Sequence, residues 1–259
     1  MTTLSFSEKY NFIELFSGEG AVTQAWHDSG YTTASFDKLY GAPMDFISSS
    51  GYSIAMWVVL NEIPDACNLI GPDCSSWGVP ARASSMRSFI NAHGRMASSW
   101  VNSNNCLVSR LVLLLLLMLS KNATWVVEQP LQTILTKHHR FEWLTNRVSK
   151  VFRQSMWMML HGGPTPKPTL LLSPMCTISQ LDLGPLRKAE RQAKTRFQTV
   201  RRHLDKNKQK RFSGNRKELK KSGNPGLLQG LGIMVPVCWW FIYMCCVLVG
   251  FRLRVCFRV

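Results

Sequence analysis

Apolar positions in the first part of the chain fall into short blocks that switch between strand-like and helix-like patterning. Asn11–Phe16 (NFIELF) is a short apolar run that stops at Ser17-Gly18-Glu19-Gly20. Ala21–Ser29 has helical composition and ends at Gly30. Tyr31–Phe36, rich in β-branched and aromatic residues, ends at Asp37. Strand, glycine turn, helix, strand and acid in that order predict a βαβ unit. A second cycle follows, with a helical stretch at Ile54–Leu60 and a buried strand at Ala66–Ile70 that breaks at Gly71-Pro72. Val101–Leu119 holds a long apolar stretch, and Ala123–Val127 reads as a strand ending at Glu128-Gln129-Pro130. Ser149–Met159 and Thr169–Leu172 read as two more strands, separated by a turn rich in glycine and proline. This alternation predicts an α/β fold over residues 1–175: a mostly parallel, Rossmann-like sheet with helices on both faces. Leu111–Leu119 is apolar all round but too short to span a bilayer, which takes about 20 residues, so a buried core helix is expected.

The pattern changes twice more. Leu186–Lys221 is rich in Arg and Lys with few large apolar residues, so residues 186–232 read as a basic, partly disordered arm. A solvated helix, a disordered arm and a nucleic-acid-binding arm all fit it. Ile233–Phe251 carries no charge and is flanked by Lys220, Lys221, Arg252 and Arg254. Its length and its tryptophans suit a membrane-spanning tail. A buried helix or strand pair, or a mistranslated end, also fits that composition.

Composition sharpens this division. Apolar residues make up 46% of the chain, enough for a sizeable core, and exclude general disorder. The formal net charge of +16 is concentrated, because Arg187–Lys221 holds 15 of the 31 basic residues. Attraction to phosphate or to anionic lipid therefore belongs to the arm. The 8 cysteines include no CxxC pair, and Met1–Tyr10 is polar. A reduced intracellular protein is expected, nuclear or cytoplasmic or membrane-anchored, with no disulfide framework and no structural zinc.

Three constellations can carry chemistry. Around Phe16, Gly18 and Gly20, a strand–helix turn lets the backbone approach a nucleotide-like ligand, and Asp37 at the next strand end can accept ribose hydroxyls. Thr23 stands where a dinucleotide fingerprint has its third glycine, which favours a cofactor without phosphates, S-adenosylmethionine, over NAD. Cys74, in Gly71-Pro72-Asp73-Cys74-Ser75-Ser76-Trp77, follows a strand end, where a nucleophile faces the sheet's carboxyl edge; a small buried thiol is the plainer alternative. Glu128 ends the next strand and would face the same crevice as a proton-holding acid; a capping or surface carboxylate is its plainer alternative.

ELFSGEG with Asp37, then DACNLIGPDCSSW, then WVVEQP, resembles in order and spacing the DNA (cytosine-5) methyltransferase family, with its DLFxGxG, acid, DLLxGxPPCQ and ENV motifs. The style is nearest to divergent protist proteins that carry LFSG, CSSW and EQP together. The resemblance covers Asn11 to Leu172 and implies a class I, S-adenosylmethionine-dependent methyltransferase acting on C5 of cytosine in DNA or RNA. It implies that Phe16, Gly18 and Gly20 line the cofactor, Asp37 holds the ribose and Asp45 in APMDF lies near the adenine. It implies Cys74 as the nucleophile and Glu128 as the residue gripping the cytosine ring. The basic stretch Arg187–Lys221 would meet the nucleic acid. The chain departs from the family pattern at Asp73, Ser75 and Gln129, which replace a proline, a glutamine and an asparagine. The family's paired arginines are absent, Lys167 being the nearest cation, and no target-recognition domain is expected. These departures leave a second reading open, a catalytically degenerate module that binds nucleic acid.

Overall fold

The computed structural model describes residues 6–161, 168–189, 200–204 and 210–214. Six strands form one sheet: β1 (Tyr10–Leu15), β2 (Thr33–Phe36), β3 (Glu62–Ile70), β4 (Thr124–Pro130), β5 (Phe152–Trp157) and β6 (Pro168–Ser173). Their order is β2-β1-β3-β4-β6-β5. β1 pairs in parallel with β2 and β3, and β3 pairs in parallel with β4. β6 runs antiparallel to both β4 and β5. The sheet is parallel except at β6, a Rossmann-like α/β arrangement with helices on both faces. The strands expected on either side of the glycine–proline turn are β5 and β6; residues 162–167, including Lys167, lie outside the described residues.

The helices are α1 (Ala21–Asp28), α2 (Ser49–Leu60), the single turn α3 (Arg82–Ser85), α4 (Ser99–Ser120) and α5 (His139–Trp143). Alternation along β1 divides them between two faces, because successive side chains of a strand point to opposite sides. Phe12 stacks on Trp26 of α1, with ring centroids 4.4 Å apart. Ile13 and Leu15 point the other way, into a core shared with Ala55 and Val59 of α2 and Leu111, Leu114 and Leu115 of α4. A smaller cluster of Met156, Leu171 and Ile178 brings the 3₁₀ segment Cys176–Leu181 against the β5–β6 end of the sheet.

Among the described residues α4 is the one helix long and apolar enough to cross a membrane. Its residues Val108, Leu111, Leu114, Leu115 and Met118 are buried against the sheet and α2, as a core helix requires. α2 begins five residues before the stretch the sequence marks, at Ser49. Ser48 explains the early start: its hydroxyl accepts from the Gly51 amide at 2.9 Å, an N-cap that propensity alone does not reveal.

The basic arm needs one correction. Strands β7 (Val200–Leu204) and β8 (Lys210–Gly214) form an antiparallel hairpin, with Val200 opposite Gly214 and Leu204 opposite Lys210. Over these ten residues the arm is paired strand and not helix; the rest of 190–232 lies outside the described residues. Backbone pairing between two short strands joined by residues 205–209 outweighs the charge density on which that expectation rested. The apolar stretch Ile233–Phe251 lies outside the described residues.

Candidate active site

The glycine turn connects β1 to α1 in backbone geometry that the sequence pays for locally. Phe16, Gly18 and Gly20 all have positive φ, at 59°, 58° and 68°. A left-handed conformation costs a non-glycine residue about 1–2 kcal/mol, so Phe16 is a strained position at the strand end. It is held by its amide, which donates to the Phe36 carbonyl at 2.7 Å, and by edge packing on Phe46 at 5.0 Å. A Cβ on Gly20 would lie 2.8 Å from the Tyr40 hydroxyl, whereas one on Gly18 would meet nothing within 4 Å. Gly18 thus borders open space, and Gly20 is favoured by its conformation, the Tyr40 side chain being free to shift.

Asp37 fastens this turn to β2. Its Oδ2 accepts from the Gly18 amide at 2.9 Å and its Oδ1 from the Leu39 amide at 2.8 Å. A carboxylate offers about four lone-pair sites, so acceptor capacity remains on a buried group beside open space. Glu14, one residue inside β1, anchors the other side of the turn. Its Oε2 accepts from the Thr23 amide at 2.8 Å and the Thr23 hydroxyl at 2.6 Å. Burial raises the Glu14 pKa, opposed by these two bonds. Thr23 therefore has a structural reason to occupy the position of a third glycine.

Asp45 is exposed, and its Oδ1 accepts from the Ile47 amide at 3.0 Å. Its neighbour Phe46 packs edge-on against Phe16, Phe36 and Tyr52. Arg110 of α4 donates to the carbonyls of Phe46 at 3.0 Å and Ser48 at 2.8 Å. The loop bearing Asp45 is thus fixed to the glycine turn through Phe46 and to the core helix through Arg110.

Cys74 sits half-buried on the loop that leaves β3, beside the carboxyl edge of the sheet. Its carbonyl accepts from the Trp77 amide at 3.0 Å, which closes the loop into a turn. The adjacent Asp73 side chain folds onto Ser75, accepting from its amide and its hydroxyl, both at 2.8 Å. Trp100 of α4 donates from Nε1 to the Ser75 hydroxyl at 3.0 Å. Trp77 is fully buried, and the Arg87 guanidinium lies 3.4 Å above its ring.

Glu128 stands on β4, one residue past Val127, which is in register with Ile70 of β3. The strand end bearing Glu128 and the loop bearing Cys74 therefore leave neighbouring strands at the same edge. The residue that joins them is Gln129. It is fully buried, its Nε2 donates to the Pro72 carbonyl at 2.8 Å, and its Oε1 accepts from the Thr133 hydroxyl at 3.1 Å. The motif comparison marks Gln129 only as a departure; its task of tying β4 to the cysteine loop needs the tertiary structure. Trp100 and Arg87, which brace the same loop from later positions, carry no motif signal.

No family model matches the sequence, and no curated protein matches it. Among solved structures, that of an Entamoeba histolytica methyltransferase, EhMeth, is similar with a TM-score of 0.41 and 14% sequence identity. That match covers 64% of this chain and 52% of the other, so the chain spans about half that protein's length.

Proposed function

We propose that the protein transfers a methyl group from S-adenosylmethionine to C5 of cytosine in DNA or RNA. The observation that carries this reading is the meeting, at one carboxyl edge, of the glycine turn with Asp37, the Cys74 loop and the Glu128 strand end, the last two joined by Gln129. Ligands of open α/β sheets bind at that edge.

S-adenosylmethionine fits the turn: Gly18 borders open space, Asp37 keeps acceptor sites for two hydroxyls, and no third glycine opens the loop to a pyrophosphate. When bound, the cofactor supplies an electrophilic methyl group. Phe16, half-buried at the end of β1 and backed by the buried Phe46, gives its ring an aromatic neighbour. C5 of cytosine is a poor nucleophile, and the chain's own residues must change that. The Cys74 thiolate adds to C6, which makes C5 the carbon of an enamine. Glu128, sharing a proton with ring N3, stabilises the charge that develops there. After transfer, solvent water takes the C5 proton, the electron pair of that C–H bond re-forms the C5–C6 double bond, and the C6–S bond breaks to release the Cys74 thiolate. A base in a duplex must first leave the stack. The basic segment Arg187–Lys221 supplies phosphate contacts, whose affinity falls steeply with salt.

The Asp73 carboxylate next to Cys74 favours a second reading, a module that binds nucleic acid and has lost the chemistry. Asp73 stands where the family this chain resembles has a proline before its cysteine. Transfer of labelled methyl from S-adenosylmethionine to cytosine-containing DNA and RNA distinguishes the two. The first reading expects incorporation that Cys74→Ser abolishes; the second expects salt-dependent nucleic-acid binding, no incorporation, and a Cys74→Ser variant like the parent.

A further inference from the structure

Three histidines on the far side of Trp77 meet in space although nothing in their spacing announces it. His93 lies in the loop between α3 and α4, while His138 and His139 open α5. The three ring centroids are 5.0, 4.7 and 4.8 Å apart. One nitrogen of each ring falls within 4.8 Å of the others. His138 is 0% exposed, and neither of its ring nitrogens has a hydrogen-bond partner. Leaving a buried donor or acceptor unsatisfied costs about 1–3 kcal/mol, so two such atoms on one side chain call for a ligand. The cluster borders a cavity of about 390 Å³, and His139 is exposed, which gives an ion access from solvent.

We propose that His93, His138 and His139 bind a divalent transition metal of the zinc class, with the fourth position open to solvent. Neutral imidazoles suit zinc, nickel and copper, whereas calcium and magnesium demand oxygen ligands that this cluster lacks. Three protein ligands with one open position are a recurrent zinc arrangement. Zn–N bonds of about 2.0–2.1 Å place tetrahedral ligand nitrogens roughly 3.4 Å apart. The rings must therefore close by at most about 1.5 Å, which side-chain rotation supplies.

The backbone bearing His93 is already held in place. Arg87 donates to the carbonyls of Ala92 and Val101 and to Asn105 Oδ1, and Asn105 Nδ2 donates to the His93 carbonyl at 3.1 Å. Gly94 has a φ of +65°, and an added Cβ would lie 2.4 Å from the Ser85 carbonyl oxygen. Arg87 and Arg140 add positive charge nearby, which opposes a bare dication and favours an anionic fourth ligand such as hydroxide over neutral water. Bound metal would also brace Trp77, whose ring meets His138 edge-on at 5.9 Å. The site does not depend on the methyl-transfer reading.

The test is cobalt(II) titration into the untagged full-length protein, followed by visible absorption, with His139→Ala and His93→Ala variants checked for folding by circular dichroism. The expected result is about one equivalent of tightly bound cobalt with an intense four- or five-coordinate spectrum. Each variant should bind at least ~100-fold more weakly, since even outer-shell changes cost 10–100-fold. His139 is exposed, so its variant keeps the fold even if the other does not. A weak six-coordinate spectrum overturns the proposal, as does unchanged affinity in His139→Ala. A thiolate charge-transfer band with binding indifferent to both substitutions would place the ion on cysteine and overturn it equally.

Discussion

Glu62 makes the stability of this fold depend on pH in a direction opposite to that of a salt-bridged acid. It opens β3, is 0% exposed, and accepts one bond, from Asn68 Nδ2 at 2.9 Å; its Oε1 has no partner. Burial raises its pKa from 4.5 to about 7, against smaller opposing effects of Asn68 and Lys121. Between those values the folded protein holds a proton that the unfolded chain has released. Stability is therefore fully present below the unfolded value and declines as pH rises to the folded one. At 1.36 kcal/mol per unit the loss comes to about 3 kcal/mol. Glu62→Gln keeps the shape, stays neutral at every pH and removes this term. The assay is urea unfolding of both proteins at about pH 5 and about pH 8. Because part of the loss has already occurred at pH 5, the parent should lose about 2.5 kcal/mol more than the variant between the two pH values. Glu14 shifts in the same direction, so the difference between parent and variant, and not the parent's slope, isolates Glu62. Equal pH dependence in the two proteins would refute the reasoning.

Three further outcomes follow from named contacts. Gln129→Leu takes the donor from the Pro72 carbonyl and the acceptor from the Thr133 hydroxyl, which keeps only the Leu135 amide, costing about 2–3 kcal/mol in denaturant unfolding. It should also lower methyl transfer while leaving the Kd for S-adenosylmethionine nearly unchanged. Gly20→Ala meets both a positive φ and the Tyr40 hydroxyl, whereas Gly18→Ala meets a positive φ alone. Each should cost about 1–2 kcal/mol, Gly20→Ala adding only the displacement of the Tyr40 hydroxyl from Ser17, read as melting temperature and as cofactor affinity by calorimetry. Arg87→Met removes a buried guanidinium, its pKa already lowered to about 10 by desolvation, from three acceptors and from the Trp77 face. It should destabilise the fold by about 3 kcal/mol or more, measured by thermal unfolding.

The sheet was legible because each parallel strand is a short apolar run that ends at a glycine, a proline or an acid. β1, β3 and β4 end within three residues of the expected positions, and α1 and α4 stand where their composition places them. The start of α2 was not legible, since a serine cap depends on backbone geometry that composition does not record. In the arm, the hairpin β7–β8 was masked by charge: a run of Arg and Lys reads as solvated chain whether or not its backbone pairs. Motif comparison singled out the two segments that carry Cys74 and Glu128. It could not reveal Gln129, Trp100 and Arg87 as braces, because their partners are a carbonyl, a hydroxyl and an indole ring distant in sequence. The histidine cluster escaped for the same reason: a search for zinc through cysteine spacing does not see three imidazoles brought together by the fold.

The central claim is covalent catalysis by Cys74 on cytosine, and mechanism-based trapping tests it most directly. The protein is incubated with S-adenosylmethionine and DNA or RNA containing 5-fluorocytosine, then resolved under denaturing conditions. Fluorine at C5 leaves no proton to remove after methyl transfer, so the thioether to C6 cannot be released. The account predicts a denaturation-resistant adduct that requires the cofactor, disappears in Cys74→Ser and maps by mass spectrometry to the peptide containing Cys74. An absence of adduct from folded protein that binds both S-adenosylmethionine and nucleic acid would contradict it.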